Sequence, residues 1–197
     1  MPFLMIRNDI TKVAADAIVN PANRNLLQGS GTSRDIYQAA GEQELTAACE
    51  AIGRCDLGRA VCTPAFGLSA KYVFHAVCPA WHGGGFGEAE QLAGAYHSAL
   101  ELAAEYHCES VAFPLLSSGN YGYPKEQAFR DAVKEAARFG ISSDRAVRFE
   151  NDAQGVAVNY RVVSETVSRM REAPYCASIG AEWKEQIEAD FQKRHHR

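Results

Sequence analysis

Residues 20–41 of this 197-residue chain, NPANRNLLQGSGTSRDIYQAAG, set amides, glycines and hydroxyls directly behind a short apolar run at residues 17–19. Gly29, Ser30 and Gly31 form a turn sequence, after which Ile36, Ala40 and Leu45 recur at helical spacing. The first N–H groups of a helix lack intrahelical acceptors and carry partial positive charge, so a glycine turn entering a helix suits a phosphate. The turn has neither the Gly-Lys-Ser/Thr ending of a nucleoside-triphosphatase loop nor Gly-x-Gly-x-x-Gly spacing. Taken alone it reads equally well as an ordinary turn.

A second stretch has the same design. Residues 110–116, SVAFPLL, read as a buried strand and run into Ser117, Ser118, Gly119, Asn120, Tyr121 and Gly122, with Pro124 opening the next helix. Two units of strand, glycine loop and helix in one α/β chain place both loops at the carboxyl ends of their strands, where such sheets bind ligands. Two phosphate cradles facing one crevice predict a pyrophosphate.

The remaining elements must hold those loops. Residues 3–6 predict a strand, with Asp9 just past its end, and residues 60–66 and 72–77 predict two more. His75 falls inside a strand and reads as a hydrogen-bonded core histidine. Residues 32–52 predict a helix interrupted at Gly41, and Leu92, Tyr96, Ala99, Ala103 and Tyr106 mark the buried face of a long one. Between them HGGGFG, residues 82–87, reads as a mobile connection that could serve as a lid, because no apolar strand ends at it. Residues 125–139 predict a further amphipathic helix, residues 146–150 a short and partly charged strand, and residues 156–170 a covering helix. Trp183, Ile187 and Phe191 mark a last, highly charged helix that packs on the domain or on a protein partner.

Composition narrows the function classes. The length suits one domain with a small appendage. A net charge of −4 without a basic stripe argues against general nucleic-acid binding. No apolar stretch approaches the roughly 20 residues that cross a bilayer, and MPFLMIRND is too short in apolar residues for a signal peptide, so a cytoplasmic, membrane-free protein is expected. Six scattered cysteines without a Cys-x-x-Cys read as reduced, buried thiols. Cys78 and His82 lack a second pair of ligands, so no metal or other cofactor is expected.

The ordered motifs Asn8-Asp9-Ile10-Thr11, DAIVNPAN at 16–23, the glycine loop and helix start at 29–41, AKYVFHAVCPAW at 70–81 and FPLLSSGNYGYP at 113–124 resemble the macrodomain family of ADP-ribose-binding modules. The resemblance covers about the first seventy per cent of the chain. It implies a three-layer α/β/α fold with a mixed, mostly parallel sheet over residues 1–172, and leaves residues 173–197 as a helical extension. It implies that Asp9 and Ile10 meet adenine, although Asp9 also suits a turn cap. Asn20 and Asn23 would offer amides to ribose hydroxyls, with Asn23 at the distal ribose, although Asn also forms turns. Gly29, Ser30, Gly31, Thr32 and Ser33 would cradle one side of the pyrophosphate, and Ser117, Ser118, Gly119 and Asn120 the other. Tyr121 would lie along the distal ribose, and Phe149 would fill an aromatic position beside the adenine. Where the family often has a branched apolar residue this chain has Asn120, which bears on how the loop closes over the pyrophosphate.

Family members that hydrolyse efficiently carry an Asp at the position occupied here by Ser33. An unassisted hydroxyl is a poor base at neutral pH, and Asp35 lies about 200° further round the helix. In some relatives the ligand's own phosphate holds the attacking water, so Asn23 and Ser33 stay as catalytic candidates. The expected function is therefore recognition of ADP-ribose, free or on an ADP-ribosylated protein. The alternatives are removal of ADP-ribose from proteins, deacetylation of O-acetyl-ADP-ribose, and a degenerate module that binds a protein.

Overall fold

A computed structural model describes residues 4–5, 8–141 and 147–148 of the chain. The unit from Asp9 to Gly140 is built on a four-stranded sheet in the order β3-β4-β2-β5. In it β2 (Ala17–Ala22) lies parallel to both β4 (Tyr72–Val77) and β5 (Val111–Ala112), while β3 (Ala60–Pro64) runs antiparallel to β4. The sheet is mixed and mostly parallel, as expected.

Both faces of the sheet are covered, which is why β2 and β4 read as nearly continuous apolar runs. Strand alternation sends Ala17, Val19, Phe74 and Ala76 to one face, against Leu92, Ala95, Tyr96 and Ala99 of α3 (Glu88–Glu105) and Ala128 of α4 (Lys125–Arg138). Ile18, Ala22, Val73 and Val77 face the other way, onto Ile36, Tyr37 and Ala40 of α1 (Thr32–Ala40) and Leu45 and Cys49 of α2 (Glu42–Ile52). Three layers result. The predicted interruption at Gly41 is where α1 and α2 meet, at φ 101°, a backbone that side chains with a Cβ rarely adopt.

Three strand boundaries differ from the sequence expectation, the first being β3, which ends at Pro64 and not at residue 66. The run at 110–116 contributes only Val111 and Ala112 to the sheet, because Pro114 has no N–H and Leu116 donates its N–H to the Tyr96 hydroxyl at 3.0 Å. Conversely, β2 continues through Pro21 to Ala22. Beyond Ile18 it has only β4 as a neighbour, and a proline is tolerated in a strand paired on one side.

In the second unit, β1 (Leu4–Met5) pairs in parallel with β6 (Val147–Arg148). Phe149, the helix expected over 156–170 and the extension at 173–197 lie outside the described residues.

Candidate functional site

Because β2, β4 and β5 are parallel, the segments that follow them leave the sheet at one edge, the edge at which ligands bind in such folds. The first of these segments is shaped by Asn23. Its Oδ1 accepts from the N–H groups of Asn25 and Leu27 at 3.1 and 3.2 Å, and its Nδ2 donates to the Leu27 carbonyl at 2.7 Å. The Tyr37 hydroxyl holds the Leu26 carbonyl at 2.6 Å. One amide hydrogen of Asn23 has no acceptor among the described residues.

The chain then reaches the helix start. Gly29 donates its N–H to the hydroxyl of buried Ser33 at 3.2 Å, which closes the turn. Gly31 stands at the N-terminus of α1 with φ 58° and ψ −130° and supplies no side-chain cap. Among the described residues no protein group accepts from the backbone N–H of Ser30, Gly31, Thr32 or Ser33. Four donors and the positive end of a helix converge there.

The loop after β5 is built differently. Its two serine hydroxyls serve the loop itself: Ser117, at φ 62°, donates to the Pro79 carbonyl at 2.8 Å and Ser118 to the Leu115 carbonyl at 2.8 Å. The N–H groups of Gly119, Asn120 and Tyr121 have no acceptor among the described residues. Asn120 reaches across and donates its Nδ2–H to the Ser30 hydroxyl, so the two loops meet.

The segment after β4 is pinned by a carboxylate. Glu88, 1% exposed, accepts from the N–H groups of His82 and Gly84 through Oε1, at 3.0 and 3.1 Å, and from Phe86 through Oε2, at 2.7 Å. Burial alone would raise its pKa, but its own backbone N–H, followed by those of Phe86, His82 and Gly84, outweighs it and holds the carboxyl at about 2. The HGGGFG stretch, expected to be a mobile connection, is thus wrapped around a buried anion. It forms one wall of a cleft of about 800 Å³ bounded by Asn23, Arg24, Leu57, His82, Phe86 and Tyr121. Burial raises the Tyr121 pKa, so its phenol stays neutral at physiological pH.

Three predicted residues, Asp9, Ile10 and Asn20, belong to other segments. Asp9 is exposed and caps the turn Ile10–Lys12, accepting from the Thr11 N–H at 3.1 Å and the Thr11 hydroxyl at 2.7 Å, with the Lys12 ammonium at 3.3 Å. These contacts hold its carboxyl below the usual range, the Thr11 hydroxyl contributing most. Ile10 packs against the core on the α1–α2 side. Asn20 stays out of the crevice. It lies within β2, directly opposite His75 of β4, and strand alternation turns its amide under α1 and α2, where Nδ2 meets His75 Nδ1 at 3.0 Å.

Residues 19–132 match the sequence profile of the Macro domain family. A macro domain-containing protein of Chlorobaculum tepidum is 49% identical over 128 residues, which cover 65% of this chain and 74% of that protein. The chain is a macrodomain. An O-acetyl-ADP-ribose deacetylase of Salmonella gallinarum is 48% identical to this macrodomain over 139 residues, 68% of this chain and 77% of the enzyme. Among solved structures, the Oceanobacillus iheyensis macrodomain with ADP aligns with a TM-score of 0.66 at 29% identity, over 84% of this chain and 92% of that one. The Trypanosoma brucei macrodomain in complex with ADP-ribose aligns at 0.64 and 34% identity, over 69% of this chain and 56% of that one.

Sequence reasoning missed Glu88 and Arg24 in this macrodomain, and named His82 and Phe86 only within the connection that could serve as a lid. A signal for Glu88 was present, since a glutamate at a helix start directly behind glycines can collect loop N–H groups. Arg24 is a single residue in a loop, and nothing in its spacing marks it.

Proposed function

We propose that this macrodomain binds ADP-ribose, free or attached to a protein. The observation that carries the reading is the pair of donor sets without an acceptor among the described residues, the N–H groups of Ser30, Gly31, Thr32 and Ser33 and those of Gly119, Asn120 and Tyr121, on two loops that meet at Asn120 and Ser30. They suit the two phosphates of a pyrophosphate. Asn23 and Tyr121, which share the adjoining cleft, take the distal ribose, and Asp9 with Ile10 takes the adenine, as the family resemblance implies. The relatives crystallised with ADP and with ADP-ribose support this assignment. The free thiols of the five described cysteines support a reducing, cytoplasmic setting.

Asp9→Ala is expected to weaken ADP-ribose binding about 5- to 100-fold, the range for losing a charge-assisted hydrogen bond. Asp9→Asn keeps an oxygen to cap the turn and should lose a similar factor. Titration of both variants decides the point: an affinity equal to that of the unaltered chain removes the adenine assignment.

A second reading, turnover of ADP-ribosyl or O-acetyl-ADP-ribosyl substrates, draws on the Salmonella relatives named as deacetylases. The placed carboxylates favour binding instead. Glu88 is saturated by N–H groups, and a carboxyl held at about 2 is a weak base. Asp35 is exposed and pairs with Arg34 at 3.3 Å. Enzyme-dependent release of ADP-ribose from a modified protein, lost in Asn23→Ala, would establish turnover.

A further inference from the structure

We infer that Asn120 is a positioning residue that straps the two phosphate loops together and aims the Ser30 hydroxyl at the bound pyrophosphate; the inference rests on the ADP-ribose reading. Asn120 and Ser30 are 90 residues apart and both exposed, yet the Asn120 amide donates to the Ser30 oxygen. No other side-chain hydrogen bond among the described residues joins these loops. Asn120 holds its place because its loop is fastened on either side, by Ser117 to Pro79, by Trp81 N–H to the Tyr121 carbonyl at 2.7 Å, and by Gly122 N–H to the Gly119 carbonyl at 2.9 Å. Ser30 holds its place because Gly29 is tied to Ser33 and the Gly31 carbonyl accepts from Asp35 N–H at 3.0 Å.

The consequence concerns the serine proton. A hydroxyl has one hydrogen and two lone pairs. Once its oxygen accepts from Asn120, the hydrogen of Ser30 is left to donate, beside the N–H groups of Ser30, Gly31 and Thr32, which have no acceptor among the described residues. A hydroxyl that accepts one hydrogen bond donates a stronger one, so the sequence Asn120 N–H, Ser30 O–H and phosphate oxygen is mutually reinforcing. In water an amide-to-hydroxyl bond is weak, so the strap opens readily for an incoming ligand. With a phosphate beneath it, the same bond resists release. A branched apolar side chain at position 120 could close over the ligand but could not orient the Ser30 proton.

Stopped-flow measurement of ADP-ribose dissociation from the full chain tests this. Asn120→Ala and Ser30→Ala are each expected to raise the dissociation rate about tenfold, the double variant by the same tenfold, and Ser30→Thr to restore most of the slow release. Single-variant rates within twofold of the original, or effects that multiply in the double variant, overturn the inference. A ligand-free readout separates it from the functional reading: Asn120→Ala should speed amide exchange at Gly29 and Asp35, the hydrogen-bonded N–H groups flanking Ser30. Unchanged exchange there disproves the strap. Absence of ADP-ribose binding by the unaltered chain disproves the ligand assignment and leaves the exchange result to decide whether the loops are strapped.

Discussion

Between pH 6.5 and pH 4 the macrodomain is expected to lose about 3 kcal/mol of folding stability through one residue, His75. The imidazole is fully buried, and burial drives its pKa from 6.5 down to about 4. Its neighbours are neutral: Asn20 Nδ2 meets Nδ1 at 3.0 Å, the Thr63 hydroxyl meets Nε2 at 2.9 Å, the Cys49 sulfur stands 3.7 Å from Nε2, and the Tyr37 ring lies edge-on at 6.3 Å. With the Asn20 amide donating to Nδ1, the ring is the Nε2–H tautomer and a second proton would face a donor. In the unfolded chain the histidine takes up that proton as pH falls through 6.5, while the folded chain does not until about 4. Stability therefore falls as pH drops across that window and is unaffected by this residue above it. Denaturant unfolding at half-unit pH steps measures the slope, and His75→Gln should flatten it. A pH-independent midpoint from 7 to 4 in the unaltered chain would show that the ring is not held neutral.

Gly31→Val is expected to cost about 100-fold in ADP-ribose affinity, or about 3 kcal/mol, with little change in fold by near-ultraviolet circular dichroism. Space is not the obstacle, since a Cβ at Gly31 would meet nothing within 4 Å. The obstacle is the backbone, at φ 58° and ψ −130°, where a β-branched residue is strained by about 1–3 kcal/mol. Relieving that strain rotates the peptides at the start of α1 and takes the N–H groups of Gly31 and Thr32 off the phosphate, each a charge-assisted bond worth about 1.5–3 kcal/mol. An affinity within threefold of the unaltered chain would mean that the α1 N-terminus does not hold the ligand.

These two residues also show where the sequence was readable. The layered fold was legible because β2 and β4 carry apolar side chains on both faces, and a strand covered on both sides needs helices above and below. The shared edge of the two glycine loops was legible because Gly29, Gly31 and Gly119 sit between a strand and a helix start, and that position fixes which edge they occupy. Asn20 was harder to place. Its type suits a ligand as well as a core, and only the register opposite His75 reveals that β2 continues past it and buries the amide. The HGGGFG segment misled for a related reason: glycine content signals flexibility, whereas the Glu88 carboxylate that fixes the segment acts through three-dimensional contacts with backbone N–H groups. The strap between Ser30 and Asn120 spans 90 residues and has no local signature, although the polar residue at 120 was itself a departure from the family pattern.

Calorimetric titration of the purified chain with ADP-ribose, beside ADP and AMP, tests the central claim most directly. Saturable one-to-one binding at micromolar affinity is expected, clearly tighter for ADP-ribose than for ADP and weakest for AMP, because the pyrophosphate engages both loops and the distal ribose adds Asn23 and Tyr121. Equal affinities for the three, or no binding heat at several temperatures, would contradict the assignment of this crevice to ADP-ribose.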